Sequence, residues 1–161
     1  MSIRDGYKIN DIHDCIFKLL DAKSTSPWNR WNVIRGYPST EVFANFTQPL
    51  IYLEAPKKIN EIRQMGARSL QLWSSILGVW TDRITGSIEE QNIMEGTIFD
   101  FFDNFVSCHT STFTVTLGTT TYTNTTLNAM KIGIDSISGF ENRPTEDEKE
   151  FRSECTLLIL A

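Results

Sequence analysis

A metal site, or a nucleophile with its base, could be drawn from His13, Cys15, Cys108 and His109, all four of them possible ligands. As a zinc set they lack the close paired spacing of structural sites, and His13 and Cys15, two positions apart on a predicted helix, do not share a face. As a catalytic pair, Cys108 and His109 are sequence neighbours with no local motif around either, so any partner would have to be supplied by the fold. The plainer reading is a surface imidazole and small buried thiols. The carboxylate groups Glu89-Glu90 and Glu146-Asp147-Glu148 fall at a helix start and in a loop, where solvated acids are expected, and the first pair complements the helix dipole. The nine glycines are scattered and form no phosphate-cradling loop or dinucleotide fingerprint. The absence of a local catalytic motif counts against an enzyme.

Aromatic and basic residues give a second kind of candidate. Trp28 and Trp31 flank Arg30 outside any clear periodic segment, and they are either core or anchors of a protein interface, where aromatics and arginine are enriched. The segment from Lys57 to Arg68 holds Lys57, Lys58, Arg63 and Arg68 against one acid, Glu61. It reads as a solvated tip or as a docking arm that selects an acidic partner.

The elements that must position these residues follow from periodicity. Ile12, Ile16, Leu19 and Leu20 mark an amphipathic helix over residues 10–22, capped by Asn10 or Asp11. Residues 39–46 have room for one short helical turn. Leu50 to Ala55 is a short strand between two prolines. Residues 57–68 read as an exposed hairpin tip or an irregular excursion, with Ile59, Ile62 and Met65 able to form a brief helix. A strong strand starts near Leu70 and runs to Trp80, carrying Trp73. Ser87 and Glu90 form a capping box for a second helix whose stripe is Met94, Ile98, Phe101, Phe102 and Phe105. Thr112 to Leu117 alternates with period two. The threonine run from Thr119 to Thr126 suits an edge, a ribbon or a loop. Met130 to Asp135 and Glu154 to Leu160 are strands on either side of an acidic, turn-rich segment. Long connections without regular strand–helix alternation predict an α+β fold, a mixed or largely antiparallel sheet of about four to five strands packed by two helices.

Length and composition bound the rest. With 161 residues, 40% hydrophobic and 22% charged, the chain is expected to form a single domain over residues 1–161 and not a disordered adaptor. Its net charge of −5 disfavours sequence-independent grip on a phosphate backbone. Charges at Arg4, Asp5, Lys8, Asp11 and Asp14 interrupt any signal-peptide core, and no apolar run is long enough to span a bilayer, so no membrane association is expected and synthesis in a cytoplasm is. Three widely spaced cysteines are expected to stay reduced, and the sequons at Asn45 and Asn124 to stay bare.

The order of elements, with the passage from Val79-Trp80-Thr81-Asp82 into Ser87-Ile88-Glu89-Glu90, resembles the tail terminator (tail completion) proteins of tailed bacteriophages over most of residues 9–160. That resemblance implies a virion protein of the neck, made in the host cytoplasm and assembled into a hexameric ring. The ring caps the tail tube, ends its polymerisation and offers a surface to a head-completion or stopper protein. It implies no cofactor, no catalytic residue and no sequence-specific nucleic-acid contact, although DNA passes through the ring. Its partners would be other copies of itself and the tail tube protein, and the aromatic and basic residues Trp28, Arg30, Trp31, Lys57, Lys58, Arg63 and Arg68 are the expected side contacts of the ring. Another head–tail connector part, a stopper or adaptor, fits the same composition, and a small α+β enzyme with an unrecognised site is the alternative from a different class.

Overall fold

The two longest strands lie side by side at the centre of the sheet. In the computed structural model, which describes residues 3–36, 49–62, 70–82, 88–103, 106–108, 113–117, 119–124, 130–136, 138–142 and 150–161, β4 (Leu70–Asp82) and β10 (Glu150–Leu160) pair antiparallel from Glu150 opposite Asp82 to Leu160 opposite Leu72. Beyond β4 lie β2 (Leu50–Leu53), antiparallel to it, and β1 (Asn32–Arg35), parallel to β2. β3 (Lys57–Ile62) pairs with the first half of β4. Beyond β10 lie β8 (Met130–Ile134), β5 (Val106–Cys108) and the two-residue β9 (Glu141–Asn142). β6 (Phe113–Leu117) and β7 (Thr120–Asn124) form a separate two-stranded ribbon.

Alternation along the strands separates two faces. One carries Ile51, Leu53, Trp73, Leu77, Val79, Ile132, Ile134, Cys155, Leu157 and Ile159, all buried in one cluster with the helices α1 (Ile3–Asp21) and α2 (Ile88–Asp103). α1 contributes Ile12, Cys15, Ile16 and Leu20; α2 contributes Met94, Ile98 and Phe102. The other face carries a smaller buried cluster, Leu50, Tyr52 and Trp80, with Ile34 packed against it. Along the same strands Leu72, Ile76 and Leu158 are half-buried and Leu160 is 38% exposed.

The fold is α+β with a mixed sheet, as the pattern predicts. The expected four to five strands are corrected: among the described residues the main sheet has eight. The additional ones are too short or too charged to show a period of two. β3 occupies part of the segment expected to be a tip or an excursion, and there Lys57 and Lys58 sit opposite Ser74 and Trp73. α1 begins well before its expected start at residue 10. The threonine run supplies the ribbon's second strand. α2 turns most of its expected stripe to the core and adds Gln91 to it. Its fully inward line is Gln91, Met94, Ile98 and Phe102, while Phe101 is half-buried. Ser87, Phe105, the segment 39–46 and, within it, the sequon asparagine Asn45 lie outside the described residues. Cys15 is disulfide-bonded, against the expectation of reduced thiols.

A polar residue on α1 departs from the pattern. Asp11 is 3% exposed, and its Oδ1 has no hydrogen-bond partner. Burial, with a smaller contribution from the Asp14 charge, raises its pKa from 3.8 to about 6. The folded state therefore holds a proton that the unfolded chain has released between these values, and this contribution to stability is lost as pH rises through about 6. Asp11→Asn is expected to stabilise the protein at neutral pH by about 1–2 kcal/mol, with the gain vanishing at acid pH where the carboxyl is protonated in both states. Thermal melts of both proteins across that pH range would check the convergence.

Candidate functional site

The most concentrated polar chemistry lies on the sheet face away from the helices. Gly78 on β4 stands opposite Tyr52 on β2 and opposite Glu154 on β10. A Cβ at Gly78 would overlap the Tyr52 ring. The missing side chain lets that ring lie across β4, and its hydroxyl donates to Glu154 Oε1 at 2.5 Å. Arg152, two positions along β10 and so on the same face, donates from Nε to the Tyr52 hydroxyl at 2.8 Å and from Nη2 to Glu154 Oε1 at 2.7 Å. Its guanidinium lies 5.4 Å from the Tyr52 ring centroid and 5.2 Å from that of Trp80. The Arg152 and Glu154 side chains are 10% and 9% exposed, a nearly buried ion pair joined through Glu154 Oε1.

Chemically this cluster is closed. Burial, then the hydrogen bond to Glu154, pushes the Tyr52 phenol up from its ordinary value, so its proton stays in place at neutral pH. What the arrangement does is tie β2 to β10 across β4. Beside it, Glu54 is raised by burial and by the neighbouring Glu154 charge, with Lys57 and Arg152 opposing. A cavity of about 60 Å³, bordered by Ser138, Gly139, Glu141, Glu154 and Thr156, opens there. That volume suits one or two waters rather than an organic substrate.

On the helix side a second polar set fixes α2. Thr81 donates to Gln91 Oε1 at 3.0 Å, Gln91 Nε2 donates to Ser153 Oγ at 2.8 Å, and Ser153 Oγ donates to Glu95. Gln91 thus sits in the apolar line of α2 because β4 and β10 present hydroxyls to it.

The residues proposed from the sequence as interface anchors are split by the structure. Trp31 is 7% exposed and its indole N–H donates to Glu90 Oε1 at 2.8 Å. Arg30, on a short 3-10 turn (Trp28–Arg30), grips the same carboxylate through Nε and Nη2 at 3.0–3.2 Å. Glu90 is therefore a clamp, not a solvated acid at a helix start. Trp28 meets Trp31 and Phe101 edge-on at centroid distances of 5.3 and 5.6 Å, and Lys23 Nζ lies 4.0 Å from the Phe101 centroid. These residues dock the turn onto α2 within one chain. Lys57 and Lys58 are exposed on β3, away from that group. Arg63 and Arg68 lie outside the described residues.

Of the potential metal ligands, Cys15 is disulfide-bonded and His109 lies outside the described residues. His13 Nε2–H donates to the Leu53 carbonyl at 2.8 Å, and burial lowers its pKa. Cys155 is a free, buried thiol whose pKa burial raises. Among the described residues no three His, Cys, Asp or Glu side chains are grouped to hold a metal ion, and no helix is long and apolar enough to cross a membrane. The sequence reading passed over Tyr52, Arg152 and Glu154. The one local signal was Arg-Ser-Glu in a final strand, which places opposite charges on a single face of an otherwise apolar segment. Compared with known proteins, the chain matches no family model and no curated protein sequence.

Proposed function

We propose that this protein is a structural subunit of a bacteriophage neck, a tail-terminator-like component that forms a ring on the end of the tail tube, stops its growth and presents a docking surface to the head-side connector. The observation that carries this reading is the one-sided layering of the sheet. Both described helices pack on one face, while Leu72, Ile76, Leu158 and Leu160 on the other remain half-buried or exposed. A sheet face with apolar area left in water is stabilised by a further layer, which a neighbouring subunit supplies in an assembly. The ion pair and phenol at the centre of that face are engaged with one another, so the face offers shape and contact area instead of reactive groups. The net charge of −5 also suits a channel that DNA must traverse without being held.

Tail assembly with and without the protein tests the reading. Electron micrographs should show a sixfold cap and one fixed tube length only when the protein is present. Tubes of indifferent length and unchanged end density would overturn it, and a cap at the head vertex instead of the tube end would transfer the role to a stopper or adaptor.

A further inference from the structure

Cys15 is disulfide-bonded, and its partner follows by elimination. The chain has three cysteines, and Cys155 is a free thiol in the core. Cys108 remains. Cys15 lies on α1, 8% exposed and packed in the main cluster, and Cys108 is the last residue of β5. A bond between them joins a helix to a strand from opposite halves of the chain.

The strand it reaches is weakly held. β5 is three residues long and ends the strand order of the main sheet. It pairs with β8 through Val106 opposite Ile132, Ser107 opposite Lys131 and Cys108 opposite Met130. Val106 is half-buried against the core. An edge ladder this short opens locally at small free-energy cost, without unfolding the strands behind it. α1 touches both β1 and β5, the two ends of the sheet. On the β1 side it is held by polar contacts: His13 to the Leu53 carbonyl, and Asp14 to Arg35 at 3.6 Å. On the β5 side the hold is covalent. A cross-link between distant segments takes freedom mainly from the opened state, so it counts most where the non-covalent hold is least.

We propose that Cys15 and Cys108 form a redox latch that keeps β5 on the edge of β8, and that reducing it frees that edge. To close it, the two thiols give up two protons and two electrons to a small disulfide, which leaves as two thiols. To open it, a dithiol takes over the bond and is left as a cyclic disulfide. The latch sets whether the sheet ends in a covered or an open edge, the state on which strand addition depends. Cys155 stays out of the exchange because it is buried and burial keeps its thiol protonated. The phage-neck reading is not needed for any of this.

The test begins with protein oxidised by glutathione disulfide and alkylated before digestion. Non-reducing peptide mapping should give a Cys15–Cys108 peptide and a single alkylated cysteine, Cys155. Hydrogen–deuterium exchange then compares the oxidised protein with protein reduced by dithiothreitol. In the reduced form the amides of residues 106–108 and 130–132 that point across their shared ladder should exchange at least tenfold faster. Residues 72–80 and 154–160, at the centre of the sheet, should keep their rates. Cys15→Ser should exchange at the reduced-form rate under both conditions, and Cys155→Ser should respond as the unaltered protein does. A free Cys15, or a Cys15–Cys155 peptide, would overturn the latch. So would equal exchange in the two forms, or loss of protection throughout the sheet on reduction, which would make the bond a staple of the whole fold.

Discussion

Truncating Phe102 to alanine is expected to cost about 3–5 kcal/mol of folding stability, the range for removing a fully buried phenylalanine whose site collapses only in part. Phe102 is 0% exposed on the inward line of α2, with Phe101 stacked edge-on against it at a centroid distance of 4.8 Å. Phe101→Ala should cost clearly less. Its ring is half-buried, and Lys23 and Trp28 at its side can settle into part of the vacated space. Urea denaturation of the two variants under one condition separates them by midpoint. Equal midpoints would mean that α2 is turned the other way on the sheet.

Arg152→Met should destabilise by a similar amount, about 3–5 kcal/mol, because it leaves the Glu154 carboxylate buried against the Tyr52 hydroxyl without its counter-charge. The double change Arg152→Met/Glu154→Leu is expected to recover most of that loss, since an apolar pair of similar volume needs no desolvation. Tyr52→Phe in the unaltered background should be milder: it removes one hydroxyl and keeps the ring over Gly78. A double variant as unstable as Arg152→Met alone would show that the guanidinium acts through its packing on Trp80 and not through its charge.

The parts of the fold legible in the sequence were those with an uninterrupted period. β4, β8 and β10 alternate or run apolar over enough residues to be read, and Met94, Ile98 and Phe102 keep helical spacing. β3 was missed because its lysines tip the local composition towards a solvated loop, and its pairing is decided by β4. β1 and β9 are too short to carry a pattern. The Trp28–Arg30–Trp31 group illustrates a different limit. Its residue types fit an interface equally well, and only the position of Glu90, some 60 residues away in sequence, commits it to holding a turn against α2. Tyr52 and Arg152 are similarly separated by 100 residues. What brings them together is an absent side chain at Gly78, which has no signature among nine scattered glycines.

The position of β10 bears on how the chain reaches this state. It fills the middle of the sheet, with β4 along one side and β8 and β9 along the other. Translation delivers it after every strand it joins, so β4 and β8 have an apolar edge and unmatched backbone groups until it arrives. Contacts this distant in sequence close slowly, and the waiting edges are sticky in the meantime. Folding is thus gated by its last step, and the nascent chain is most prone to aggregate just before residues 150–160 leave the ribosome. The sheet is thus sealed from within, by the strand that follows both of its neighbours in the chain.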